Sequence, residues 1–269
     1  MGFQQRSKLI YSVIAGAMLI TLGCTSLNIG LKIADVGPVK RESTTIEVGD
    51  ADRVDATIRM AAGALSVEGR ADALLNADFT YNVADWEPRV TYNVTDNVGH
   101  LDIRHAESDA LPIRDKARNE WDLQLSDDVP LDLRIEVGAG DHDFNLEGLI
   151  LTELDVKLGA GDMDVTLGDN KGLHRVDLDV GAGDVKIDLS GLWEGDAAVS
   201  IQGGVGKTTL YLPQAVGVRL SVTQGIGDLD VSGLSREGGA WINEAYGESD
   251  TTLDVDIQAG IGEIEVVSD

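Results

Sequence analysis

The stretch Gln202-Gly203-Gly204-Val205-Gly206-Lys207-Thr208-Thr209 has the residue types of a phosphate-binding loop. In such a loop glycines let backbone amides reach phosphate, lysine supplies charge and a hydroxyl holds Mg²⁺. The fit is incomplete. The first glycine of the usual pattern falls on Ile201, and the lysine that opens one variant falls on Gln202. The motif also needs a helix behind it, with its N-terminus aimed at the phosphate. The chain instead continues as TTLYLPQAVGVRLSV, an alternating run broken by Pro213, so no nucleotide is expected. Carboxylates recur at another regular spacing: Asp141, Asp162, Asp184 and Asp228, with Lys207 and Glu263 completing the row. Two residues further on come Asp143, Asp164, Lys186, Thr209, Asp230 and Glu265. A row of carboxylates could gather Ca²⁺. It could equally be a solvated outer face whose repulsion is relieved by Lys186 and Lys207, placed to partner Asp164, Asp184 and Asp228. Repeat-built calcium sites use nine-residue Gly-Gly-x-Gly-x-Asp units, which this spacing does not match. The four histidines (100, 105, 142 and 174) lack metal-ligand spacing, and His142 falls on an inward position. No catalytic residue, cofactor or metal is assigned, and the chain reads as non-enzymatic.

The elements that position these residues are repeats. Six Gly-x-Gly corners carry Gly138 and Gly140, Gly159 and Gly161, Gly181 and Gly183, Gly204 and Gly206, Gly225 and Gly227, and Gly260 and Gly262. Their first glycines lie 21, 22, 23, 21 and 35 residues apart. Before the first corner Leu131, Leu133, Ile135 and Val137 alternate; after it the inward set becomes His142, Phe144 and Leu146. A one-residue parity slip at the same place in each copy marks a corner. Glycine suits it by adopting angles closed to other residues or by letting neighbouring backbones approach. The central residue is expected to continue the inward parity. One copy cannot bury its apolar face, but stacked copies can. The fold expected is all-β, a parallel β-solenoid of 21–23-residue coils with a narrow aliphatic core. Aromatics at only 4% of residues argue against a core built on rings. No sustained helical period occurs after the N-terminal segment.

Upstream of the corners, STTIEVG, VDATIRM and ALSVEG read as strands, and Met60–Leu65 as a degenerate corner. FTYNV and RVTYNV are strands whose pairing Trp86-Glu87-Pro88 interrupts, HLDIRH is another, and residues 106–130 form a surface connection with a short strand at 121–125. The organisation expected is a signal or anchor at 1–23, a tether at 24–44, an N-terminal β segment at 45–110 and the corner repeats at 111–269.

The N-terminus reads as an address. MGFQQRSK is short and positive, and an uncharged apolar run begins at Leu9. Thr21-Leu22-Gly23-Cys24 resembles a bacterial lipobox, which would make Cys24 the lipidated first residue. The uncharged stretch Leu9–Leu31 is also long enough to span a bilayer, so an uncleaved anchor stays open, as does plain secretion. An extracytoplasmic, membrane-anchored location is expected. With one cysteine there is no disulfide framework. A formal charge of −26 excludes binding to nucleic acid or an anionic lipid surface by charge.

VGAGDVKIDLSGL (180–192) and residues 201–233 resemble the toast-rack β-solenoid proteins, which include the LiaF-like C-terminal domain of the cell-wall-active-antibiotics-response family. GRADALLNADFTYNVADWEPRVTYNV (69–94) resembles the N-terminal toast-rack segment, and residues 245–267 its closing coil. Some members regulate envelope-stress signalling by contacting a sensor kinase, and related ones are named as adhesins. The resemblance implies an envelope protein that binds a partner or associates with itself. It supplies no catalytic or ligand residue.

Overall fold

The computed structural model describes residues 36–105 and 117–268. Cys24, the signal-like run and residues 106–116 lie outside them. Regular structure among the described residues is β throughout, apart from a 3-10 turn at Ala84–Trp86.

In β8 (Leu131–Ala139) the alternating Leu131, Leu133, Ile135 and Val137 are buried, and in β9 (His142–Asn145) His142 and Phe144 are. The step from Val137 to His142 is odd, which is the parity flip read from the sequence. The same unit recurs as β2 (Arg53–Ala62) with β3 (Ala64–Glu68), β10 (Leu151–Ala160) with β11 (Met163–Thr166), and β12 (Arg175–Ala182) with β13 (Val185–Asp188). It recurs again as the continuous β14 (Ala197–Leu212), as β15 (Gly217–Ile226) with β16 (Leu229–Ser232), and as the continuous β19 (Thr252–Ser268). Met60–Leu65 is indeed a corner: Ala62 pairs with Ala139 and Leu65 with His142.

Neighbouring units pair in parallel. Leu133 pairs with Leu154, Leu154 with Val176, and Val176 with Val199. The chain order then breaks. Strand β14 pairs with β19, Val199 against Val255, and β15 lies on the far side of β19, Leu220 against Val255. The sixth corner copy therefore sits between the fourth and the fifth, whereas the sequence suggested stacking in chain order. The longer excursion after Gly227, which includes the hairpin β17 (Ser235–Glu237) and β18 (Ala240–Ile242), supplies the chain needed to return past β15.

Inward residues form ladders along the stack. One runs Ile58, Ile135, Val156, Leu178, Ile201, Ile257, Val222. Its members are buried except the last, which is half-buried. Burying each such side chain contributes about 1.5–3 kcal/mol, so the core is a sum of similar small terms. Among the described residues one apolar cluster runs from Val54 to Val266.

Antiparallel strands close the N-terminal end. Strand β6 (Val98–His105) lies beside β2 and carries β5 (Pro88–Thr95) on its outer edge. Strand β7 (Asn119–Leu125) lies beside β3 and carries β4 (Leu75–Val83), which in turn carries β1 (Val36–Ile46). The turn at Ala84–Trp86 sends β4 and β5 to different neighbours, as the Trp-Glu-Pro break implied. Strand β1 begins at Val36, inside the segment expected to be tether. Its exposed, charged residues and a register shift between Val36 and Lys40 mask the alternation. Strand β7 is no surface piece either, because Trp121 is buried and its ring meets Phe79 edge-on at 5.3 Å.

Candidate interaction surface

The corner fixes the geometry of everything around it. Gly140 has φ +141°, and a Cβ there would lie 1.7 Å from the carbonyl oxygen of Gly63 in the adjoining layer. At Gly138 a Cβ would lie 2.1 Å from the carbonyl oxygen of Ala61. Both reasons for glycine therefore hold, left-handed backbone at the second position and close approach of layers at both.

The central corner residue does not point inward. Ala139, Ala160 and Ala182 are exposed, and Val205, Ile261 and Ile226 expose 55%, 53% and 71% of their surface. The residue at the apex of a chain bent around a core faces away from that core, which parity counting along a straight strand misses. Val205 pairs with Ile261, and Ile261 with Ile226. The corners thus make an exposed ridge that rises from alanine to valine and isoleucine toward the C-terminal end.

Beside the ridge stand the acids. Asp162 Oδ1 accepts the backbone N–H of Asp184 at 3.0 Å, and Asp184 Oδ1 accepts that of Lys207 at 2.9 Å. Each carboxylate supplies an acceptor to the next layer where the bend takes the amide out of the regular ladder. Lys207 does not meet Asp228, since β19 lies between them. Its ammonium reaches Glu265 at 2.7 Å and Glu263 at 3.1 Å. Hydrogen bonds to Glu265, then Glu263, push its pKa up to about 12. Lys186 neighbours Asp164 in register, with its ammonium 5.5 Å from the Tyr211 ring centre. Among the described residues no three Asp, Glu, His or Cys side chains converge as a metal would require.

Before the corner, the outward row Arg104, Arg59, Glu136, Lys157, Asp179 runs across consecutive strands. It flanks a groove of about 710 Å³ over the corner backbone of Gly138, Gly159 and Gly181. From Arg59 onward the neighbours alternate in charge, which is favourable across strands, and the like-charged Arg104 and Arg59 both reach Asp102. A neighbouring row is less balanced: Asp132 stands between Asp55 and Glu153. Burial, then those two carboxylates, raise its pKa above the ordinary value.

The phosphate-loop look-alike lies inside β14. Gly206 pairs with Gly262 and Lys207 with Glu263, and the strand continues to Leu212. No helix N-terminus stands behind it. His142 is buried and stacked on Phe144 at 6.1 Å, with no hydrogen-bonding partner on either ring nitrogen. Burial pushes its pKa down, partly opposed by Asp141. Sequence reading missed Asn243. Its buried side chain accepts the N–H of Val218 at 2.9 Å and donates to the carbonyl of Val216 at 2.8 Å, pinning the segment after β18 to β15. An asparagine after Trp241-Ile242 carries no local signal of that role.

The parallel registers, the glycine corners and the antiparallel cap coincide with two matched families. The N-terminal domain of toast_rack, DUF2154, matches residues 35–174, just over half the chain. This chain belongs to the toast-rack family. The C-terminal family of the cell wall-active antibiotics response protein LiaF matches residues 161–266. A solved "putative cell adhesion protein" from Clostridium sporogenes is 27% identical with a TM-score of 0.68, covering 86% of this chain and 100% of that one. A "putative adhesin" from Parabacteroides distasonis is 12% identical with a TM-score of 0.37, covering 88% and 99%. Comparison with curated proteins gave no match. Among the described residues of this toast-rack protein no helix is long and apolar enough to cross a membrane.

The two ends of the toast-rack stack differ. At the N-terminal end Leu101, Ile103, Trp121 and Leu123 are buried beneath β5 and β4. At the other end Leu229 exposes 40%, although its partner Ile264 exposes 1%. Val222 and Val231 are also only half-buried. The hairpin β17–β18 covers this edge of β15 at Arg219 and Leu220.

Proposed function

We propose that this toast-rack chain is a non-enzymatic envelope protein, held at a membrane through its N-terminal segment, whose parallel β-solenoid presents an interaction surface. The observation that carries this reading is the use made of its polar groups. Asp162 and Asp184 serve backbone amides, Lys207 serves Glu263 and Glu265, and the glycines serve layer contact. Among the described residues the apolar corner ridge lies outside this framework, and an exposed apolar row suits docking rather than chemistry. The LiaF C-terminal match over residues 161–266 supports a regulatory contact in envelope-stress signalling.

A second reading, an adhesin-like or self-associating scaffold, is supported by the Clostridium sporogenes neighbour. Photo-crosslinking from Val205 in intact membranes tests the pair. An adduct with one sensor-like membrane protein supports regulation, adducts only with the chain itself support a scaffold, and no adduct at all removes the ridge as a docking surface. Anchoring through Cys24 is tested separately. Cys24→Ala should move the protein from the detergent phase to the aqueous phase, and unchanged partitioning would favour the uncleaved span.

A further inference from the structure

We propose that the open edge of β15 and β16 is a self-association surface that pairs with the same edge of a second copy across a two-fold axis near Ile226. The proposal rests on the interaction-surface reading above and names one surface and its occupant. Strand β16 pairs with β19 on one side, and β15 beyond Leu220 does likewise. Among the described residues no strand pairs with their other side from Ser221 to Ser232, which presents backbone donors and acceptors along an edge. Soluble proteins protect such edges with charge, proline or a bulge turned away. Here Ser221–Gly227 has no charged residue and no proline, and the inward residues Val222, Leu229 and Val231 are incompletely covered.

Charge selects the occupant. The chain carries −26, so a second copy is repelled from most of the surface and approaches best where acids are few and each can be kept from facing another; between Ser221 and Ser232 the acids are Asp228 and Asp230. A basic partner would be drawn instead to the acidic rows. Topology selects the symmetry. The edges at the opposite end, those of β1 and β5, carry the proline, charge and irregularity that guard a strand edge: Pro38, Lys40, Arg41 and a register shift in β1, and Pro88 and Arg89 in β5. The unguarded edge is therefore the one at β15 and β16, and pairing it with its own copy is isologous.

The parity flip then makes the edge self-complementary. Inward residues are even-numbered before the corner (Leu220, Val222) and odd-numbered after it (Leu229, Val231). A two-fold rotation about the corner lays the leg before it against the leg after it, antiparallel. In the register that sets Val222 opposite Leu229 of the second copy, Ser221 faces Asp230 and Thr223 faces Asp228. Apolar residues then meet in the core, and each exposed acid meets a hydroxyl instead of another acid. The hairpin at Arg219 and Leu220 marks where the pairing stops.

Sedimentation of the full-length protein in detergent, as wild type, Thr223→Glu and Thr223→Lys, tests this. Thr223 is exposed, so neither change threatens folding. The wild type should sediment as a dimer. Thr223→Glu, facing Asp228 twice per dimer, should weaken association by about tenfold or more, and Thr223→Lys should preserve or strengthen it. A monomeric wild type, an open-ended series of oligomers, or equal effects of Glu and Lys would overturn the pairing. A monomer would leave a ridge contact with another membrane protein intact. Loss of ridge crosslinks with the dimer retained would overturn that reading instead.

Discussion

The ammonium of Lys207 reaches the carboxylate of Glu265 at 2.7 Å across the boundary between β14 and β19. Two segments more than fifty residues apart in the chain are thus adjacent layers, and the copy nearer in sequence, carrying Asp228, is one layer beyond. Lys207→Glu should lower the melting temperature by a few degrees, more at low salt than at high. Adding Glu265→Lys should recover part of that loss, and adding Asp228→Lys should recover less. Equal recovery would contradict the position of β19. Because the folded pKa of Lys207 is raised, its contribution is complete below the unfolded value near 10.5 and is lost as pH rises through about 12.

The corner glycines differ from the other left-handed glycines in what stands behind them. Gly140→Ala combines φ +141° with a carbonyl at 1.7 Å and should cost about 3 kcal/mol or more, or prevent folding. Gly148→Ala has φ +86° with open space around its Cβ position and should cost about 1 kcal/mol. Urea denaturation ranks the two, and comparable losses would show that layer contact is not what the corner protects.

If the aspartate row is a set of caps, Asp184→Ala should cost about 0.5–1.5 kcal/mol. Asp184→Asn, which keeps an acceptor for the Lys207 amide, should cost less. Ca²⁺ at millimolar level should leave the melting temperature of the wild type unchanged. A rise abolished by Asp184→Asn would restore the ion-binding reading of Asp141, Asp162, Asp184 and Asp228.

His142 should make stability depend on pH. Burial holds the folded imidazole below the ordinary 6.5, with Asp141 opposing. Below that value the unfolded chain binds the proton and the folded chain resists it, so the unfolded state carries more protons. Stability should be level above about pH 7 and fall as pH drops through 6.5 toward the lower folded value. Subtracting the His142→Leu profile isolates this from the carboxylates. A variant that loses as much stability as wild type between pH 7 and 5 would exclude His142 as the cause.

The repeat was legible because its two signals, alternation and glycine spacing, arise from local backbone geometry. Leu131 to Leu146 gave strand, corner and parity flip directly. The direction of Ala139 and its counterparts was not legible, since alanine fits either side of a bend, Val205, Ile226 and Ile261 by their type suggest the inner side, and only the path of the chain decides. Nor was the place of β19, because Gly260-Ile261-Gly262 repeats Gly225-Ile226-Gly227 and so points to β15 as a neighbour without saying on which side, and the long excursion before it reads as a simple insertion. Strand β1 was hidden by Lys40, Arg41 and Glu42, whose exposure suits an edge. The aspartates were visible as a row, but their bonds to Asp184 and Lys207 depend on amides turned by the corner.

The interleaving of β19 also bears on the order of events during synthesis. Strands β15 and β16 leave the ribosome before β19, the strand on which they rest. Until β19 arrives, the edge of β14 and the inward faces of Leu220 and Val222 have no template between them. The growing chain can close its layers in sequence as far as β14, then must hold an unfinished segment open until a later one slides in beneath it. Removing β19 would therefore take out a middle layer and strand the one beyond it, a far larger loss than deleting a terminal coil.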